Sequence, residues 1–288
     1  MKKFLLLLAV VAFTVSAALG QSVTKNYKLN NITGIDASSV YKIKITKGNS
    51  DKIEVICPDY LSNYIKIYSL NGIAYFKTET PRNFRYPRNT NMEITVNMQM
   101  STIKYIDLSG ASSLYATGEF TTNNLTYDLS GASHAELNIS GKYVQLSCNG
   151  ASMLSQRGNF DNMKVDCSGA SKMIINGNIN DILCDISGAT NFTYNGNSNN
   201  IELELSGASK ASLTGRTNNI KATNSGASFL NAKGMISTDV SVEATGASKA
   251  NVYCTNILKA NASSSSIINY YGNPKQMFSK PSNIRKAD

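Results

Sequence analysis

The sequence predicts an all-β protein, a single-stranded parallel β-helix (β-solenoid) with coils of about 19 residues and irregular, wider coils at its N-terminal end. Two observations predict this fold. The tetrapeptide Ser-Gly-Ala-Ser, or a close variant of it, recurs eight times, and apolar residues alternate with polar residues on both sides of each copy. An α-helix is excluded, because residues at every second position would be spread around its whole circumference.

The glycine of each copy marks one corner of a coil. Successive glycines are separated by 21, 19, 19, 19, 19, 19 and 20 residues, and a sustained period of this length is typical of a solenoid. A ninth, degenerate corner places Ser264 where the glycine is expected, 18 residues after the last one. The predicted corner glycines are Gly110, Gly131, Gly150, Gly169, Gly188, Gly207, Gly226 and Gly246.

A short β-strand is predicted on each side of the corner. The residues two, four and six positions before the glycine are mostly apolar, and those between them are mostly polar. The pattern returns four and six positions after the glycine, and a second glycine such as Gly177 usually closes this strand before an Asn-rich turn. We expect the inward side chains to be almost fully buried. Among them are Leu129, Leu146, Ile186, Leu205 and Ile220.

Stacking of the coils explains why one chain repeats the same corner. Two short strands cannot bury a core alone, but coils about 4.8 Å apart pair their backbones and turn each inward position into a continuous apolar ladder. We expect the glycine to supply a backbone conformation that side chains resist, and the following alanine to allow a tight inward bend. The flanking serine hydroxyls are expected to bond backbone groups where the strand pairing is interrupted.

Residues 1–20 are predicted to be a secretory signal peptide. Lys2 and Lys3 precede an apolar run that ends in small residues, with Ala18 and Gly20 placed for cleavage before Gln21. The alternative is a membrane anchor, but the run is shorter than the ~20 residues that a spanning helix needs, and no second apolar span follows. We therefore expect an exported protein of the periplasm, the outer surface or the medium, with no transmembrane segment after signal removal.

The remaining chain divides into three predicted parts. Residues 21–104 lack the corner but contain alternating strands, and we interpret them as irregular coils that cap the solenoid. A separate small β-domain is the alternative for this part. Residues 105–272 form the solenoid itself, and residues 273–288 form a C-terminal tail.

The recurrent "SGAS", the strand pair "YKIKITKGNSDKIEV" and the terminal "YYGNP" together resemble the bacterial family called putative auto-transporter adhesin, head GIN domain. The resemblance covers roughly residues 30 to 275. It implies an exported β-helical domain, and the family's adhesin label is itself a suggestion from architecture. No catalytic residues come with the resemblance.

Carboxylates dominate one outward position, three residues before the corner glycine, and neighbouring carboxylates one coil apart could be bridged by a hard cation such as calcium. We favour a solvated strand face instead, because Lys164, Lys172, Lys210 and Lys249 offer counter-charges and no coil contains several clustered ligands. No metal or cofactor is therefore predicted. The acidic column consists of Asp107, Asp128, Asp166, Asp185, Glu204 and Glu243, with Ser147 and Thr223 at the two remaining places.

Other reactive residue types are scarce. His134 is the single histidine, which excludes a site with two histidine ligands, and its outward position predicts a surface residue. Cys148 and Cys167 share one column in adjacent coils, where a disulfide would be strained, so we favour free thiols. Asn224 falls in an otherwise apolar column and needs either a buried partner or a local widening of the coil.

Charge and composition favour binding over catalysis. The formal charge of +9 falls to +7 when Lys2 and Lys3 are removed, and the basic residues are dispersed, so no nucleic-acid partner is expected. We predict a non-enzymatic adhesin or cell-envelope interaction protein whose partner is a glycan or an envelope protein. The alternative is a cation-dependent, lyase-like carbohydrate-active enzyme. The even spacing disfavours the enzyme, since it leaves no long loop within the solenoid to build a substrate groove.

Overall fold

A computed structural model describes residues 12–14, 22–87, 92–280 and 283–287. They form one continuous β-sheet of 24 strands and a single short 3₁₀ helix, Asp59–Tyr64. The sheet winds into a β-solenoid of about 9 turns with a spacing of about 19 residues, so the predicted fold is confirmed.

The N-terminal part of the sheet contains both antiparallel and parallel pairs. Its strands are β1 Ala12–Thr14, β2 Ser22–Lys28, β3 Gly34–Ala37, β4 Tyr41–Lys47, β5 Lys52–Pro58, β6 Ile65–Leu70, β7 Ile73–Thr78 and β8 Ile94–Met100. β5 pairs antiparallel with β2 and β8, and β6 pairs antiparallel with β7. β3 and β4 pair parallel with β7 and β8 on one side and with the first strands of the repeats on the other. The N-terminal strands therefore share their sheet with the repeats.

The repeats contribute the strands from β9 onward, and their coils pair in parallel. These strands are β9 Tyr105–Leu108, β10 Ser113–Thr117, β11 Phe120–Leu129, β12 His134–Cys148, β13 Met153–Arg157, β14 Phe160–Cys167, β15 Lys172–Asn176, β16 Ile179–Ile186, β17 Asn191–Asn197, β18 Asn200–Leu205, β19 Lys210–Asn224, β20 Phe229–Ala244, β21 Lys249–Ala262, β22 Ile267–Tyr271, β23 Gln276–Lys280 and β24 Ile284–Lys286. Equivalent residues of successive coils lie opposite one another, as in the series Leu129, Cys148, Cys167 and Ile186. The register shifts between Ser212 and Thr214 and again between Ala232 and Asp239.

The core is a set of apolar ladders along the solenoid axis. All five residues named as inward are at most 2% exposed, which confirms the predicted register: Leu129, Leu146, Ile186, Leu205 and Ile220. Some inward positions are polar. Gln156, for example, is fully buried and accepts a 2.6 Å hydrogen bond from the Tyr127 hydroxyl. Its amide nitrogen donates to the carbonyl of Ile139 at 2.8 Å, so this polar side chain is stabilised inside the core.

The corner has the predicted glycine conformation. Gly169 has φ +74°, and a Cβ there would lie 2.6 Å from the carbonyl oxygen of Gly150 in the preceding coil. The constraint therefore comes from the backbone conformation and from the close approach of the stacked coil together. The degenerate corner also fits, since Ser264 has φ +59°.

The structure shows which corner residue points inward and corrects one expectation about the backbone. The alanine after each glycine, such as Ala132, faces solvent, whereas the following serine, such as Ser133, is 1% exposed. The backbone pairing is also not interrupted, because the amide of Ala132 donates to the carbonyl of Gly110 at 2.7 Å and the same bond recurs in later coils. The inward place is therefore taken by the serine. Some of these hydroxyls bond the backbone as expected, for example that of Ser171, which donates to the carbonyl of Ser168 at 3.1 Å, whereas others, such as that of Ser133, have no partner in the structure.

The predicted signal peptide, residues 1–20, lies outside the described residues except for Ala12–Thr14, which pairs antiparallel with Thr24, Lys25 and Asn26. Among the described residues, no helix has the length and apolar character needed to cross a bilayer.

Candidate functional site

The acidic column forms one ladder in register along the solenoid. Asp107 pairs with Asp128, and the series continues one coil at a time to Glu243. Asp128, Asp166, Asp185, Glu204 and Glu243 are exposed, and Asp107 is half-buried. The predicted outward orientation is therefore confirmed for every member except Asp107, which is only partly outward.

The structure adds a member that the sequence interpretation missed. Asp36 lies opposite Asp107, and the backbone of Ser39 lies where a Cβ of Gly110 would clash. Ser39 has φ +105°, so it forms an additional, degenerate corner before the first glycine corner. The signal was present in the chain, because "IDASS" at residues 35–39 has the same order of residue types as "IDLSG" at residues 106–110.

Electrostatic repulsion is visible at the N-terminal end of this column. Burial raises the pKa of Asp107, and the neighbouring carboxylates of Asp36 and Asp128 raise this pKa further. A hydrogen bond from the Tyr105 hydroxyl at 3.1 Å acts in the opposite direction. Within the described ranges, no group of three or more His, Cys, Asp or Glu side chains is arranged to hold a metal ion.

The lysines proposed as counter-charges lie in two places. Lys172, Lys210 and Lys249 follow the corner, at the +3 position, whereas Lys164 precedes it, next to the acidic column. The ion pairs that the structure shows within 4 Å, Lys42–Glu93 at 3.4 Å and Lys221–Glu202 at 2.6 Å, include neither these lysines nor the column. In the described part of the chain, these lysines therefore make no direct ion pair with the column.

We define the pre-corner face as the outward side chains three, five and seven positions before the corner residue, and the post-corner face as those three, five and seven positions after it. The pre-corner face carries an open groove of about 730 Å³ that crosses seven coils. Tyr143 and Leu183 contribute exposed apolar surface to it, and Lys164 and Lys259 contribute charge. The even coil length was expected to leave no groove, but this groove needs no loop, since strand side chains alone line it.

Each carboxylate that lines the groove is hydrogen-bonded to a neighbour. Asp181 accepts from Asn200 at 2.6 Å, and Glu202 accepts from Lys221 at 2.6 Å. Asp239 accepts from the side chain of Asn256 at 2.8 Å. The groove therefore offers an ordered polar surface whose acids already have partners.

Asparagine side chains form further ladders from coil to coil. Asn219 donates to the Asn200 side chain at 2.8 Å, and Asn195 donates to Asn176 at 2.9 Å. Such side-chain bonds run along the axis and hold the outward groups at the coil spacing. The exposed amide groups of these ladders are consequently held in repeated positions.

The remaining predicted residues have structural surroundings. His134 is partly exposed, and its ring centre lies 5.5 Å from that of Tyr115. Cys148 and Cys167 lie opposite each other in adjacent coils, and both are buried free thiols. Asn224 is fully buried and donates to the carbonyl of Lys249 at 3.3 Å, but its Oδ1 atom has no hydrogen-bond partner in the structure.

Comparison with known proteins connects this architecture to one family. The family described as "putative auto-transporter adhesin, head GIN domain" matches residues 31–177 and 164–274. A search of the curated proteins finds no match.

Three solved structures of similar proteins come from two Parabacteroides species. A putative adhesin from Parabacteroides distasonis is 14% identical, with a TM-score of 0.54 over 93% of this chain and 98% of that chain. A putative adhesin from Parabacteroides merdae is 18% identical, with a TM-score of 0.47 over 93% and 97%. A putative lipid binding protein from Parabacteroides distasonis is 15% identical, with a TM-score of 0.48 over 93% and 98%. The TM-score of the first structure shows that it has the same fold as this chain, and at 14% identity it shows the fold alone.

Proposed function

Because the chain belongs to the family described as putative auto-transporter adhesin, head GIN domain, we propose that it is an exported, non-enzymatic adhesin that binds a repeating ligand at the cell envelope. The ligand class that fits best is a linear glycan. It lies along the solenoid and contacts equivalent outward positions of successive coils.

The observation that carries this proposal is the register of the outward side chains. From Asp107 to Glu243, equivalent residues lie opposite one another in every coil, at the spacing of about 4.8 Å between paired strands. Several weak contacts at equal intervals act together on a polymer, because each bound unit raises the effective concentration of the next. Repetition in the protein is therefore matched to repetition in the ligand.

The groove on the pre-corner face favours a second candidate, the carbohydrate-active enzyme, since its volume is in the range of ligand sites. Catalysis needs an acid or base that is free to exchange a proton with the substrate. The groove carboxylates Asp181, Glu202 and Asp239 are bonded to Asn, Lys and Asn side chains. This engagement leaves none of the three groove carboxylates available for proton transfer, which disfavours the enzyme.

Removal of whole coils tests the proposal. Deleting residues 189–226 takes out two coils and joins Gly188 to Ala227, so that the corner sequence is retained. On a glycan array, the intact chain should give a defined set of bound glycans, and the deletion should weaken the same set without changing its members. Circular dichroism verifies that the shortened solenoid is folded.

A matched control changes charge without shortening the solenoid. Replacement of Asp166 and Asp185 by Asn should have a modest effect on array binding, because these side chains are exposed members of a long column. Release of shortened or unsaturated sugars from a bound polysaccharide would overturn the binding function in favour of the enzyme. Unchanged binding after loss of two coils would contradict the multivalent mode.

A further inference from the structure

The charges of the solenoid are divided between its two faces. Between residues 161 and 262, the segments from eight to two positions before each corner carry eight acidic and three basic residues, a formal balance of −5. Between residues 172 and 271, the segments from three to seven positions after the same six corners carry no acidic residue and four basic ones, a balance of +4. The basic residues of these post-corner segments are Lys172, Lys210, Lys233 and Lys249.

Three of these lysines form a regular row. Lys172 lies opposite Asn191, Asn191 opposite Lys210, Lys210 opposite Phe229, and Phe229 opposite Lys249. A lysine therefore occupies every second coil, and the three are exposed. With strands about 4.8 Å apart, neighbouring lysines of the row are separated by roughly 10 Å along the axis. We call Lys172, Asn191, Lys210, Phe229 and Lys249 the alternating lysine row.

The residues between the lysines suit an uncharged sugar. Asn191 is exposed, and its amide both donates and accepts hydrogen bonds, as sugar hydroxyls require. Phe229 is partly exposed, with the ammonium of Lys249 5.9 Å from its ring centre, and an aromatic ring offers a flat apolar surface to a sugar ring. The order along the axis is thus cation, neutral, cation, neutral, cation.

On these observations, and given the adhesin function proposed above, we propose that the alternating lysine row binds a linear acidic polysaccharide in which every second sugar carries a negative charge. One sugar of an extended chain is close in length to one coil spacing, so acidic sugars meet the lysines and neutral sugars meet Asn191 and Phe229. The pre-corner face is excluded as the site for this ligand by its negative balance. The exposed lysines of the pre-corner face are also unevenly spaced. Lys164 and Lys221 are three coils apart, whereas Lys221 and Lys259 are two coils apart.

An anionic membrane is the other surface that lysines attract, but the geometry of the row favours a polymer. Membrane-surface binding relies on apolar side chains that enter the lipid next to the basic ones. In this row the apolar member, Phe229, is only partly exposed and lies close to Lys249. A straight row of single lysine charges is complementary to the evenly spaced carboxylates of one polysaccharide chain.

The test uses hyaluronan, whose glucuronate carboxylate recurs at every second sugar, with dextran as a neutral polymer and vesicles of phosphatidylglycerol and phosphatidylcholine as an anionic membrane. The intact chain should bind hyaluronan with an affinity that falls as salt is added, and should prefer it to dextran and to the vesicles. The triple variant Lys172→Gln, Lys210→Gln and Lys249→Gln should lose about tenfold in affinity.

A matched variant changes the same formal charge on the other face. Lys164→Gln, Lys221→Gln and Lys259→Gln should keep the hyaluronan affinity within about twofold, since these exposed lysines are outside the row. Equal losses in the two triple variants would overturn the row as the site, because net charge alone would then explain binding. Stronger binding to the vesicles than to hyaluronan would overturn the polysaccharide as the ligand.

A deletion of one coil separates spacing from charge. Removal of residues 189–207 joins Gly188 to Ala208, removes no lysine, and brings Lys172 and Lys210 into neighbouring coils. It also removes Glu202 and Glu204, so general attraction to a polyanion predicts tighter binding. A ligand that requires a lysine in every second coil should instead bind this variant more weakly. Its affinity should resemble that of the two-coil deletion of residues 189–226, in which only Lys172 and Lys249 remain, with Phe229 between them.

The outcomes also separate this proposal from the adhesin function. Tight binding to a neutral glycan that is insensitive to the Lys172, Lys210 and Lys249 changes would overturn the acidic ligand and leave the adhesin function in place. Degradation of hyaluronan by the intact chain would overturn the non-enzymatic function itself. Absence of hyaluronan binding would overturn the proposal that the spacing of the lysines matches the spacing of the acidic sugars.

Discussion

The N-terminal strands and the repeats build the same sheet in two different ways. In residues 22–100, the antiparallel partners of β5 and the β6–β7 hairpin hold strands together through their own turns, such as the one at Asn71 and Gly72. In the repeats, every strand is held by the equivalent strand one coil away. A corner of the repeats therefore lies directly on the backbone of its equivalent, whereas the hairpin turn at Gly72 is packed less closely, with atoms of Asn31 and Thr33 3.3 Å from where its Cβ would lie.

The largest expected effect comes from the same substitution in the two regions. Gly169→Ala places a Cβ at positive φ and 2.6 Å from the Gly150 carbonyl oxygen, so we expect a loss of about 3 kcal/mol in the free energy of unfolding. Gly72→Ala meets the same kind of φ, +77°, but its nearest atoms are 3.3 Å away, and we expect a loss of about 1 kcal/mol. Chemical denaturation measures both.

Equal losses in the two variants would show that the positive φ alone determines the loss in the free energy of unfolding. The close contact with the neighbouring coil would then make no contribution. A larger loss for Gly72→Ala would reverse the comparison. The variants differ in region but share the residue change, so unfolded-state effects of alanine largely cancel between them.

The repeats were predictable from the sequence because their contacts reach only one coil away. A fixed spacing between glycines is enough to align Leu129 with Cys148 and Cys167, and the strands pair in this register. The antiparallel pairs of the N-terminal strands depend on turns and on partners far apart in the chain, such as Val23 with Cys57, and no repeated pattern indicates them.

The details of the corner and of the surface were harder to predict. Alternation shows which strand residues point inward, but it does not extend through a turn of small residues. It therefore does not indicate that Ser133 rather than Ala132 is the inward residue. The division of charge between the faces was also overlooked. It requires knowing that residues before and after a corner, such as Asp166 and Lys172, belong to different faces.

A second prediction concerns Asn224, a buried polar residue in an otherwise apolar column of the repeats. Asn224 lies opposite Leu205 and Ala244, and its buried Oδ1 has no partner in the structure. Asn224→Leu keeps the branched shape, removes the unpaired acceptor, and should raise the free energy of unfolding by about 1 kcal/mol. Asn224→Asp is the matched control and should destabilise the protein, because a carboxylate would be buried there. A lower stability of Asn224→Leu would show that the bond to the Lys249 carbonyl outweighs the unpaired atom.

The smallest expected effect lies at the seam between the two regions, where Asp107 stands between Asp36 and Asp128. Burial, followed by repulsion from those two carboxylates, raises the pKa of Asp107 in the folded protein above its unfolded value. Its contribution to stability is therefore fully present below the unfolded pKa of about 4 and is lost as the pH rises through the folded pKa. At neutral pH the ionised side chain opposes folding.

Asp107→Asn should consequently raise the melting temperature at pH 7 by about 1–2 °C and have little effect at pH 3, where the native carboxyl is already protonated. The amide oxygen can still accept the hydrogen bond that the Tyr105 hydroxyl donates to the carboxylate. Asp185→Asn, at an exposed place in the same column, is the control and should change the pH 7 value less. Melting curves between pH 3 and pH 7 distinguish these cases. A fall in the pH 7 melting temperature of Asp107→Asn would mean that the Tyr105 bond to a charged acceptor stabilises the seam more than the three carboxylates repel one another.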